Sequence, residues 1–155
     1  MKIERKSFLY VFVFGVIYGI HHSAKSLITW WAHFSLDSAG DVVMLILFLN
    51  QVSVVIGWVL LFIVLIVMYY VGKKLDLKAN LESIVISMLA GGFVGYFLAQ
   101  LVSMPLFFVI AQHEISLNLA VDCLVGGLYT SLGTTSPLFF TSFTAIAIAH
   151  LRKTG

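Results

Sequence analysis

Apolar residues gather in four long runs along this chain, and the polar positions between them mark the connections. The runs cover 7–22, 42–72, 83–111 and 118–149. Each reaches or approaches the ~20 residues needed to cross a ~30 Å hydrocarbon core. The last three are longer than required, so they must tilt, kink or project beyond the lipid. The pattern predicts an all-α integral membrane protein: one transmembrane domain over 1–155, built as a four-transmembrane-helix bundle. Between the first two runs, Leu27, Trp30, Trp31 and Phe34 recur at helical spacing, with Trp at interface depth. Segment 23–40 therefore reads as a short interfacial helix or a lid over the bundle, with Ser38 or Asp41 capping the second span. The first run follows Lys2, Arg5 and Lys6 as a signal peptide would. His22-Ser23-Ala24 is a poor cleavage sequence, however, so the run is read as a span.

Small residues predict how the spans pack. In the third span Ser83, Ser87, Gly91, Gly95, Ala99 and Ser103 fall at every fourth position, a ridge against which another backbone can lie closely. The first span adds Gly15 and Gly19, and the fourth presents Asp122, Gly126, Tyr129, Gly133 and Ser136 on one stripe. Spans one, three and four are therefore expected to pack together. Gly133-Thr134-Thr135-Ser136-Pro137 is hostile to a helix, and a kink or unwound turn is expected there. Gly91-Gly92 before Pro105-Leu106-Phe107-Phe108 is echoed by Gly126-Gly127 before Pro137-Leu138-Phe139-Phe140. Inverted repeats with broken helices have this form, although the two spacings differ and these residue types are common in spans.

Composition strengthens the membrane reading. Hydrophobic residues make up 61% of the chain and charged residues 10%, with a mean hydropathy of +1.05. A soluble domain averages about 45–50% and about 25%. Eight of the nine Lys and Arg residues precede the first span, join the second to the third, or follow the fourth; Lys25 alone lies on the other side. The positive-inside rule makes that side cytoplasmic and places both termini there. Connections this short leave no nucleotide-binding domain and no nucleic-acid footprint. The single cysteine, Cys123, forms no CxxC motif and no intramolecular disulfide.

Candidate chemistry is sparse. His21, His22, His113 and Glu114 fall at the outer ends of spans one and three, where nitrogen and oxygen donors can bind a metal ion, or where His22 and His113 can hold a haem. No spacing among them is diagnostic, and interfacial histidines more often bond backbone, carboxylates or water. Asp122 is costly inside a span unless paired, protonated or wet. With Asn50 and Gln51 of span two, and Tyr129, Thr134, Thr135 and Ser136 of span four, it outlines a ligand or ion path. The same hydroxyls commonly bond back to their own helix.

Three functions fit: a structural or accessory subunit of a larger membrane complex, a small oligomeric transporter or channel, and a metal- or haem-bearing redox subunit. The first is preferred, because soluble mass is nearly absent and the packing ridges are extensive. The expected surroundings are the lipid bilayer and other membrane subunits or further copies of the chain. No hydrolase motif supports an enzyme.

Overall fold

The computed structural model describes residues 4–36, 38–75, 77–111 and 117–154, with the side chains at 30, 33–35, 77–79, 104–111, 117–120, 122, 123, 134 and 154 outside that description. Four helices make up the described chain: α1 (Arg5–Ser35), α2 (Ala39–Gly72), α3 (Leu77–Ala111) and α4 (Leu117–Thr154). All four contain stretches long and apolar enough to cross a membrane. Glu4 caps α1, its carboxylate accepting from the Ser7 N–H at 2.6 Å. Ser38 caps α2 by accepting from the Asp41 N–H. Asn80, at φ −135° and ψ 20°, interrupts the helical geometry near the start of α3.

Two sequence expectations are corrected. Segment 23–35 is not a separate interfacial helix but the continuation of α1. Nothing there breaks a helix: the next glycine after Gly19 is Gly40, and Ser26 turns its hydroxyl back onto the His22 carbonyl at 3.1 Å. Nor does 133–137 unwind, because α4 stays one helix through Pro137. The preceding hydroxyls bond within the helix, Thr130 to the Gly126 carbonyl at 2.8 Å and Thr135 to the Ser131 carbonyl at 2.5 Å. A spanning helix absorbs the missing Pro N–H through such local adjustments.

The tightest pair is α1 with α3. Gly91 lies against Phe8 and Phe12, Gly95 against Phe12 and Val16, Gly15 against Gly92 and Tyr96, and Gly19 against Tyr96 and Ala99. Partner numbers rise together, so the two helices run parallel. A Cβ at Gly15 would lie 2.6 Å from the Gly92 carbonyl oxygen, and one at Gly91 2.6 Å from that of Phe8. Lipid supplies no hydrophobic drive for helix pairing, so this close backbone approach, with its dispersion contacts, is what holds the pair. Polar contacts follow the same register: the Glu4 N–H donates to Ser87 Oγ at 2.7 Å, and the Gln100 amide donates to the Gly19 carbonyl at 3.2 Å. Ser23 and Ser103 hydroxyls meet at 2.8 Å.

α2 and α4 return beside this pair and pack mainly against each other, α4 also lying against α3 and α2 against α1. Their junction lies at the end of the bundle that carries Arg5, Lys6, Lys73, Lys74, Arg152 and Lys153, here termed the basic end. Val64, Met68 and Val71 of α2 pack there with Leu138, Ala145 and Ile146 of α4, Val11 of α1, and Ile84 and Met88 of α3. Gly72 admits α4 closely: a Cβ there would stand 2.8 Å from the Ile146 Cα. Toward the opposite, distal end the two helices part. A cavity of about 400 Å³ opens between them, lined by Tyr18, Ser53, Gly57, Trp58 and Pro137. Beyond it Asn50 and Gln51 of α2 are exposed, as are Leu124, Gly126 and Leu128 of α4.

Expected packing of spans one, three and four needs revision for α4. Its buried stripe is Ser131, Thr135, Leu138, Ser142, Ala145 and Ala149. The stripe read from the sequence is left unpacked: Gly126, Tyr129, Gly133 and Ser136 are exposed, and a Cβ at Gly126 or Gly133 would meet nothing within 4 Å. Bulk decides the phase. Leu138 and Ile146 enter the basic-end core, and the 3.6-residue period then carries Ser131 inward and Gly133 outward.

Candidate functional site

The main polar concavity lies near the distal end between α1, α3 and α4, with a volume of about 260 Å³. Its walls combine His22, Ser23, Ser26, Gln100, Ser103 and Thr130 with Leu27, Phe97, Leu101 and Leu124, and Gly126 and Gly127 leave room at its α4 side. The cavity exists because α1 and α3 diverge past their glycine crossing. Gly15 and Gly19 permit backbone contact, whereas the next position in that row, Ser23, meets Ser103 through side chains. Gln100 is oriented by its bond to the Gly19 carbonyl, and Ser103 bonds the Gln100 carbonyl at 2.8 Å. His22 is half-buried with its ring 6.0 Å from that of Tyr96, itself fully buried in the helix seam.

Most hydroxyl protons at this site are committed to the helices. Ser26 donates to the His22 carbonyl, and Thr130 shares its proton between the carbonyls of Gly126 and Gly127 at 2.8 and 3.2 Å. The groups with recognition capacity are the carboxamide of Gln100 and the imidazole of His22. Among the described residues no carboxylate or cation lines the cavity. Its chemistry suits a small, uncharged, partly polar guest, and among the described residues it assembles no nucleophile with an oriented base.

Those of the residues singled out in the sequence that the structure describes do not form one site. His21 faces α2, where its Nε2 stands 3.0 Å from Ser53 Oγ, while its neighbour His22 faces α3 and the cavity. His113 and Glu114 lie outside the described residues, as do the side chains of Asp122 and Thr134. Among the described residues no three His, Cys, Asp or Glu side chains converge on a metal-sized site. Thr135 is buried and bonded to its own helix, whereas Tyr129 and Ser136 are exposed on the far face of α4. Asn50 and Gln51 are both exposed on α2. Asn50 nonetheless shares the face of Gly57, Val64 and Val71, since seven-residue steps drift only ~20°. Those three are buried and Asn50 is not.

Ser23, Ser26 and Gln100 fall outside the site residues that the sequence pattern marks. A signal for one was present, because Ser23 continues the four-residue row of Gly15 and Gly19 just as Ser103 continues that of Gly91, Gly95 and Ala99. No family model, no curated protein and no solved structure matches the chain.

Proposed function

We propose that this chain is a structural subunit of a larger membrane assembly, inserted by its four helices with both termini in the cytoplasm, and without catalytic activity of its own. The observation that carries the reading is Asn50, a carboxamide on the bundle-facing side of α2 that the chain's own helices leave exposed. A side-chain amide bare to hydrocarbon is unfavourable, and a neighbouring transmembrane helix removes the cost by hydrogen bonding. The exposed face of Gly126 and Gly133 on α4 offers the close approach such a helix would use. The test is native mass spectrometry from nanodiscs excised directly from the membrane. The expected species is heavier than the single 17.2 kDa chain and has a fixed composition, which Asn50→Leu reduces. A single-chain mass in that preparation, unaltered by Asn50→Leu, overturns the reading.

A second reading, passage of a small polar solute, is favoured by the cavity that His22 and Gln100 line. A Cβ placed at Gly127 would stand 3.9 Å from both the Gln100 Cβ and the Phe97 ring, so Gly127→Leu would fill the space. Solute uptake by proteoliposomes that survives Gly127→Leu unchanged rules out this route.

A further inference from the structure

At the basic end, α1 and α2 enclose a pocket of about 260 Å³ lined by Lys6, Tyr10, Val67, Tyr70, Val71 and Lys74. We propose that this pocket binds the phosphate of an anionic phospholipid. Two cations from different helices face one concavity, and among the described residues none that lines it is acidic. The nearest carboxylate on α1, that of Glu4, is engaged in capping the Ser7 N–H. Lys73, next in sequence, lies over the rings of Tyr69 and Tyr70, at 4.8 and 5.4 Å from their centroids, and does not line the pocket, so among the described lining residues Lys6 and Lys74 carry the charge. Helix α1 also begins here, and its first-turn N–H groups add positive potential.

The shape of the pocket selects a lipid over a free ion. Val67 and Val71 make its floor, and Tyr10 and Tyr70 are the amphipathic rings found at headgroup depth. Below the pocket the same faces turn wholly apolar. Val13 and Ile17 follow Tyr10 along α1, Ile63 precedes Val67 along α2, and all three are exposed. A phosphate held by the two ammonium groups would place its acyl chains along this track. Basic pockets between spanning helices recognise anionic headgroups in this way. The inference rests on membrane insertion and not on any partner chain.

Native mass spectrometry of the purified protein tests it, with phosphatidylglycerol, with phosphatidylcholine of identical chains, or with inorganic phosphate added. The wild type is expected to retain phosphatidylglycerol at least roughly tenfold better than phosphatidylcholine, since each interfacial Lys contributes appreciably to anionic lipid binding. Lys6→Gln/Lys74→Gln should remove that preference, Lys6→Arg/Lys74→Arg should keep it, and Lys153→Gln, at the same end but outside the pocket, should leave it intact. A thermal melt of each variant establishes that it folds. Equal retention of the two lipids, or equal losses in the Lys6→Gln/Lys74→Gln and Lys153→Gln proteins, overturns the proposal. Inorganic phosphate that binds alone and displaces phosphatidylglycerol would keep the phosphate chemistry and overturn its lipid source.

Discussion

A single methyl group added at Gly95 would drive a Cβ into the carbonyl oxygen of Phe12, whereas the same methyl at Gly126 would meet nothing within 4 Å. The obstacle at Gly95 is backbone, which cannot rotate aside, so α1 and α3 would have to separate along their whole glycine crossing. Gly95→Ala is therefore expected to destabilise the folded protein by about 1–3 kcal/mol, in the range of overpacked cores. Gly126→Ala should be neutral or slightly stabilising, because alanine is the better helix former. Equilibrium unfolding in mixed micelles measures both, and equal effects would mean that the α1–α3 contact is not the tight one. The sequence presents these two glycines alike. Gly95 was legible because it belongs to a row of six small residues matched by Gly15 and Gly19 on another span. Gly126 and Gly133 make a similar row whose phase is set by Leu138 and Ile146 well down the helix, and a local count of small residues does not register that. Gly72, packed on Ile146 and Ala149, has no small neighbour in its row to announce it.

Among the elements, α1 departs most from its expected form: one 31-residue helix replaces a span followed by a surface helix. Its length is about 46 Å at 1.5 Å per residue, so inside a ~30 Å hydrocarbon core it would have to tilt or project, and the expectation is projection at the distal end. The two geometries differ in depth. Spin labels placed singly at Ile20, Ala24, Ile28 and Trp31 should report progressively less oxygen and more aqueous reagent along the series. A helix lying in the interface would give one depth for the last three positions, and that result would contradict a continuous α1. Trp30, Trp31 and Phe34 suggested the surface helix because aromatic residues at helical spacing look the same on a projecting helix turn and on one lying flat. What distinguishes them is whether a break follows Gly19, and Ser23, Ala24 and Ser26 provide none. Pro137 misleads in the same way. Its ring and missing N–H are real local costs, but Thr130, Ser131 and Thr135 bond within the helix just before it, so the element survives a residue that would end a shorter helix in water.

For the whole molecule, four spans and their order follow from hydropathy alone, but the choice of neighbours does not. Long-range pairing joins α1 to α3 and α2 to α4, and it depends on which faces interlock rather than on sequence adjacency. One global property is encoded in the charges. Arg5, Lys6, Lys73, Lys74, Arg152 and Lys153 gather at one end of the bundle, while Lys25 lies toward the other, beyond the α1–α3 crossing. The count of eight cations to one, with net charges of +5 and −3 on the two sides, is what supports the proposal of a cytoplasmic basic end, because cationic loops resist translocation. The test begins from Cys123→Ser, so that no native thiol competes, and adds either Lys78→Cys at the start of α3 or Lys25→Cys at the distal side. A membrane-impermeant maleimide applied to intact cells should modify the Lys25→Cys protein and spare the Lys78→Cys protein, and permeabilisation should then expose the second. Labelling of position 78 alone before permeabilisation would reverse the orientation. Labelling of both would show that positions 25 and 78 share a side, which four antiparallel spans forbid, and the transmembrane reading of α2 would fall with it.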